Sequence, residues 1–214
     1  MFVTKIGSDH IFHGMNNQDY GLYTDNIRLV CDGCSEGKHS EVGVKLFTQH
    51  YQKLLDMNFS SYVYILAKER YIEKLWREIF SLNVQSALDN LCFTILQVVK
   101  LSDNEFDVHV CGDGYIIVHH MDDSIEFIKL DNGEYPNYYI YNFIDSIEIN
   151  PGFETYHYSG VKNVGVATDG LRFILQSKQN EGIFREKLLG KEIAMKRFLN
   201  TIEHSLKDDI TISF

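Results

Sequence analysis

The sequence predicts an α+β fold in which helices pack outside two antiparallel sheets, a four-layer α/β/β/α sandwich. Three observations carry that expectation. Residues 40–81 hold two long stretches with apolar side chains at helical spacing, and residues 91–130 then switch to short β-branched runs separated by polar turns. A further helical stretch follows, and the chain closes on another β-branched run at 210–214. No linker-like composition divides the 214 residues, so one domain spanning 1–214 is expected.

Residues 2–6 and 20–23 read as short strands, with the polar segment 8–19 between them. Thr24-Asp25-Asn26 reads as a hairpin turn into a strand over 27–31. Ser40 opens a helix in which Gly43, Leu46, Phe47, His50, Tyr51, Leu54 and Leu55 share one face. A second helix over 61–81 places Ile65, Leu66, Ile72, Trp76, Ile79 and Phe80 at helical spacing, with Trp76 as packing. Strands are expected at 91–101, 106–112, 115–120 and 125–130, as a meander. The tyrosine-rich stretch 133–150 is expected to hold strands with a loop, followed by strands at 153–158 and 161–168. Short helical pieces at 172–176 and 182–189 and a longer helix over 191–206 complete the chain.

Composition narrows the function. An apolar content of 44% with 13% aromatics suits a globular chain rather than a disordered one. A formal net charge of −10, without a basic stripe, argues against nucleic acid and suits a cation. Cys31, Cys34, Cys92 and Cys111 lack the spacing of a disulfide framework or a zinc knuckle, and Cys31 reads as core rather than half of a redox pair. No basic region leads a long apolar segment, and no apolar run approaches membrane-spanning length. A cytoplasmic protein with reduced thiols and no membrane contact is expected.

Four acidic turns stand at the ends of expected strands: Val30-Cys31-Asp32-Gly33, Cys111-Gly112-Asp113-Gly114, Ala167-Thr168-Asp169-Gly170 and Lys207-Asp208-Asp209-Ile210. Taken one at a time, each is an ordinary turn. Converged at a sheet edge, their carboxylates would repel one another unless a cation intervened. Oxygen-only donors match hard ions such as Mg²⁺ or Mn²⁺ rather than zinc. Two such ions about 3.5–4 Å apart can activate a water against a phosphoryl centre.

The order of these motifs, with Asn17-Gln18-Asp19 ahead of the first and Ser40-Glu41-Val42-Gly43 behind it, resembles the protein phosphatase 2C (PPM) family of metal-dependent Ser/Thr phosphatases. The likeness runs from about Ile6 to Phe214 and is greatest to the short prokaryotic branch. It implies a β-sandwich flanked by helices, with two metal ions at one edge. Asp32 would bridge the ions and the Gly33 carbonyl would complete one site. Asp169 and Asp208 would hold the second ion, and Asp19 would bind directly or through water. Asp113 would join Asp169 at a third, weaker site. The implied reaction is hydrolysis of phosphoserine or phosphothreonine in proteins by a metal-activated water, without a phosphoenzyme. A cognate kinase or its target is the implied partner.

The chain departs from the family pattern in four places. Gly14 stands where many members carry the arginine that grips the phosphate, leaving His10, His13, Lys38 and His39 as candidates whose ordinary setting is a solvated loop. Cys34 replaces the general-acid histidine of eukaryotic members. Gln18 replaces a glutamate, and Asp209 an asparagine. The flap that shapes substrate access is expected within 133–160, where Tyr135, Tyr138, Tyr139 and Tyr141 form either a recognition surface or, more often for such aromatics, packing. These departures motivate a rival: a catalytically weak or inactive phosphatase fold that binds a phosphoprotein or regulatory partner. An acidic binding module with accidental turn aspartates is a third reading.

Overall fold

The computed structural model describes residues 1–56, 61–79, 83–131, 137–149 and 151–214, apart from the side chains of 54–56, 61–67 and 79. Among the described residues, ten strands form two five-stranded antiparallel sheets. One runs in the order β1 (Phe2–Lys5), β10 (Ile210–Ser213), β9 (Val161–Ala167), β6 (Gly114–His120), β7 (Ile125–Leu130). The other runs β2 (Tyr20–Tyr23), β3 (Ile27–Cys31), β4 (Ile95–Ser102), β5 (Glu105–Cys111), β8 (Glu154–Ser159). The expected α+β sandwich of two helix-flanked antiparallel sheets is therefore the observed one.

Three apolar cores separate four layers. Val30, Leu96, Val98, Val108, Val166 and Ile116 fill the space between the sheets. Alternate residues of β3, Ile27, Leu29 and Cys31, point the other way, into a core shared with Phe47, Tyr51 and Ile72 of the helices α2 (Ser40–Asp56) and α3 (Ser61–Lys74). All five β3 residues are buried because both of its faces are covered. On the opposite side, β1, β9 and β10 pack under Phe184, Leu188, Met195 and Phe198 of α6 (Lys178–Leu188) and α7 (Glu192–Thr201). Each fully buried aliphatic or phenyl side chain contributes about 1.5–3 kcal/mol, so the closely packed Phe47, Tyr51 and Phe93 rings anchor the first helical layer.

Several expectations are corrected. The segment 8–19, given no element from its sequence, opens with α1 (Ser8–Phe12), which buries His10. The strand expected from residue 91 starts at Ile95. Before it lies α4 (Val84–Leu91), whose Asn83 side chain accepts from Ser86 N at 2.8 Å and whose Ala87 and Leu91, four apart, are buried. Trp76 is packing as expected, on a π-helical turn, Leu75–Ile79, that ends the second helical stretch. Residues 137–149 carry no strand. They form a 3-10 turn, Tyr139–Phe143, with Tyr138, Ile140 and Ile144 buried in the α2 core and Tyr139 and Tyr141 packed against it. These tyrosines are packing rather than an open recognition surface. The expectations for Phe80, Tyr135 and the side chains of Leu54, Leu55, Ile65, Leu66 and Ile79 lie outside the described residues. The short piece α5 (Arg172–Leu175) precedes α6, which starts earlier than expected because Ser177 caps it. The final helix stops at Thr201, and a 3-10 turn, Glu203–Ser205, carries the chain to β10. Among the described residues no helix is long and apolar enough to cross a membrane.

Candidate metal centre and active site

Four strand ends bring acidic residues to one edge of the sandwich. In the β2–β3 hairpin Tyr20 pairs with Cys31, so the next residues outward, Asp19 and Asp32, stand opposite each other. In the other sheet Ile212 pairs with Ala167, and Thr168 N donates to Thr211 O at 3.0 Å. That register sets Asp169 and Asp208 beyond neighbouring strands. The two sheets are tied at this edge by Thr168 Oγ1, which donates to Asp19 Oδ2 at 2.6 Å and accepts from Thr211 N at 2.9 Å.

Two glycines permit the approach. A Cβ on Gly33 would stand 2.6 Å from Ser40 Oγ and 2.8 Å from Gln18 O, so only glycine lets the end of β3, the start of α2 and the Gln18 loop meet. A Cβ on Gly170 would stand 1.9 Å from Asp209 O, inside the contact that holds the Asp169 turn against the Asp208 turn.

The electrostatics follow from burial of like charges. Burial and the charges of Asp19, Asp169 and Asp208 push the Asp32 carboxyl well above the ordinary range. Burial likewise raises Asp19 well above its usual value, with Asp209 adding to the push and the Thr168 bond opposing it. Asp169 is pushed up to about 6, mainly by burial, against the pull of Arg172. Asp113, in the β5–β6 turn, is raised by burial and drawn back by Arg172, and its charge adds to the push on Asp169.

The structure thus brings Asp19, Asp32, Asp169 and Asp208 together, with Gly33 beside them and Asp113 within range of Asp169. The donor set is hard oxygen, and buried Asp19 Oδ1 has no hydrogen-bond partner, so the residues suit a hard divalent cation. Among the described residues, however, no three acidic, histidine or cysteine side chains are grouped closely enough to hold one as they stand. Arg172 bridges two of these carboxylates: its Nη1 bonds Asp169 Oδ2, and its Nη2 lies 3.1 Å from Asp208 Oδ2.

Arg172 and Thr168 were missed by sequence reasoning, although both flank the Asp169-Gly170 motif. Asp209 was read only as a substitution beside a ligand. It is in fact a buried staple, Oδ1 accepting from Gly7 N at 2.8 Å and Oδ2 from Gln18 N at 2.6 Å. His10 is not a solvated loop residue; its Nδ1 lies 2.9 Å from Asp209 Oδ1. The Gln18 side chain turns toward Gly37 O at 3.5 Å and leaves a buried Oε1 unpartnered. Cys34 is half-buried, its backbone N–H donating to Cys92 O at 2.9 Å and its thiol hydrogen-bonded with the Tyr138 hydroxyl. All four cysteines are free.

A helix-flanked double sheet with these acidic turns at one edge defines the class. The chain belongs to the protein phosphatase 2C family, whose model matches residues 6–210. Among solved structures it is similar to the serine/threonine phosphatase Stp1 from Staphylococcus aureus, with a TM-score of 0.66 and 15% identity over 99% of this chain and 92% of that one. It is also similar to PppA, described as a key regulatory component of a Pseudomonas aeruginosa T6SS, with a TM-score of 0.68 and 12% identity over 99% and 94%. The catalytic domain of the phosphatase PstP, in complex with 2 manganese ions, gives a TM-score of 0.66 and 14% identity over 99% and 94%. At these identities the likeness is one of fold. No curated protein matches the sequence.

Proposed function

We propose that this chain is a magnesium- or manganese-dependent protein serine/threonine phosphatase, acting as a single cytoplasmic domain over 1–214. The observation that carries the reading is the meeting of Asp19, Asp32, Asp169 and Asp208, from four separate strand ends, at one edge of the sandwich. These four, with the Gly33 carbonyl, are the proposed ligands of two ions, and Asp113 with Asp169 is the proposed place for a third. When bound, such ions polarise phosphoryl oxygens and lower the pKa of water.

The chain's own residues do the rest. Thr168 holds Asp19 across the sheet gap, and Asp209 N, at 3.0 Å, donates to Asp208 Oδ1. Asp32 must give up its proton to serve as a ligand, so cation affinity rises with pH. A phosphoserine or phosphothreonine protein is the proposed substrate, and its kinase, or that kinase's target, the proposed partner. The test is hydrolysis of p-nitrophenyl phosphate or a phosphopeptide with Mn²⁺, lost in chelator and in Asp32→Ala. Full activity of that variant, or turnover in excess chelator, would sink the reading.

The engagement of Asp169 and Asp208 by Arg172, together with Gly14 and Gln18, favours a second reading, a weak or inactive member that binds a phosphoprotein. Tight phosphopeptide binding without turnover at saturating Mn²⁺ would select it.

A further inference from the structure

Arg172 opens α5 directly after the Asp169 turn and lays its guanidinium across two acidic side chains, Nη1 on Asp169 Oδ2 and Nη2 on Asp208 Oδ2. Its side chain is 41% exposed, against 21% for Asp169 and 31% for Asp208, so it lies over them on the more open side. The Phe173 ring, 4.8 Å from the Arg172 Cζ, supports the group from its own element.

The two carboxylates engage one N–H each from Nη1 and Nη2, out of five guanidinium N–H donors. A fork that fits carboxylate oxygens also fits phosphoryl oxygens, in spacing and in charge. Gly14, where a phosphate-gripping side chain is absent, has a left-handed backbone at φ +66° and open space about it. His10, the basic residue on α1, is buried beside Asp209, its Nδ1 2.9 Å from Asp209 Oδ1.

Resting on the phosphatase reading above, we propose that Arg172 changes partners. It neutralises Asp169 and Asp208 while no divalent ion is bound, and grips the substrate phosphoryl group once those carboxylates are taken by the ions. The released fork exchanges two carboxylate oxygens for two phosphoryl oxygens, so its donors stay satisfied in both states and the phosphate is held from the solvent side. Arg172 is thereby the substrate-binding cation of a site that carries glycine at position 14.

The experiment is calorimetry on metal-free wild type, Arg172→Ala and Arg172→Lys, first with MnCl2 alone and then with inorganic phosphate added to the Mn²⁺-saturated proteins. Loss of a competing positive charge is expected to tighten Mn²⁺ binding by Arg172→Ala about tenfold. Loss of charged hydrogen bonds should weaken its phosphate binding roughly 10- to 100-fold. Arg172→Lys keeps the charge without the fork, and is expected to recover only part of the phosphate affinity.

Unchanged Mn²⁺ affinity in Arg172→Ala would overturn the exchange. So would unchanged phosphate affinity in that variant, or full recovery by lysine, which would reduce the role of Arg172 to its field. Absence of Mn²⁺ uptake by wild type and both variants would remove the phosphatase reading and the exchange with it. Normal Mn²⁺ uptake with unaltered phosphate binding would leave that reading standing and remove only this one.

Discussion

Thr168 Oγ1 donates a 2.6 Å hydrogen bond to Asp19 Oδ2, joining the ends of strands that belong to opposite sheets. The same hydroxyl accepts from Thr211 N at 2.9 Å, so one oxygen sets both the spacing of the sheets and the aim of a proposed ligand. Replacing it with Thr168→Val leaves a buried carboxylate oxygen and a buried N–H without partners. The expected loss is about 2–4 kcal/mol, read as a lower urea midpoint in chelator, with Thr168→Ser close to wild type. Equal midpoints for wild type and the valine variant would show that the bond does not hold this edge.

The metal-free protein is expected to lose stability as pH rises from about 4 to about 6. Asp169 keeps its proton up to about 6 in the folded state, while its ordinary value is 3.8. Between those values the folded chain binds more protons than the unfolded one, so stability falls with pH, by about 3 kcal/mol for this group. Burial shifts Asp19 and Asp32 the same way. Saturating Mn²⁺ should reverse the slope, because ligand carboxylates bind it only when deprotonated. Urea melts at several pH values, with and without Mn²⁺, check both signs; a metal-free slope that rises instead would contradict the assigned shifts.

Asp209 ties the loop ahead of β2 to the turn ahead of β10. Asp209→Ala removes the acceptor for both Gly7 N and Gln18 N and is expected to destabilise the fold by about 2–4 kcal/mol. Hydrogen exchange at those two amides should accelerate more than at β4 or β5. Protection that survives the substitution would mean the loop is held by something else.

Gly170→Ala should be poorly tolerated although alanine is small. Its Cβ would meet the Asp209 carbonyl oxygen at 1.9 Å, forcing apart the turns that carry Asp169 and Asp208. Overpacking against backbone costs roughly 1–3 kcal/mol, and the displaced carboxylates should weaken Mn²⁺ binding as well. Thermal melting and Mn²⁺ calorimetry read the two effects separately. Wild-type values in both would show that this contact does not set the spacing of the two turns.

Much of the layer order is legible in the chain because alternation and helical spacing are local patterns. Ile27, Leu29 and Cys31 alternate with Arg28 and Val30, and that is enough to place one face of β3 in a core, whereas the cover over Arg28 and Val30 is set by the second sheet. The helix α4 escaped because it is only 8 residues long and sets just Ala87, Leu88 and Leu91 against the core, beneath an Asn cap. The stretch around Tyr138 escaped because aromatic, β-favouring residues here satisfy a packed 3-10 turn, where tertiary contacts outweigh strand propensity.

By itself the sequence determined the acidic turns, their order, and the sheet edges from which they project, since Asp-Gly at the end of a β-branched run is a local signal. Only the tertiary structure decided what each acid does. Asp208 and Asp209 are adjacent and chemically alike, yet one meets Arg172 near solvent while the other is a buried backbone acceptor. Thr168 meets Asp19 across 149 residues of chain, and Gly7 meets Asp209 across 202. Such contacts depend on how two sheets stack and which strand lies beside which, and no spacing along one chain encodes that distance.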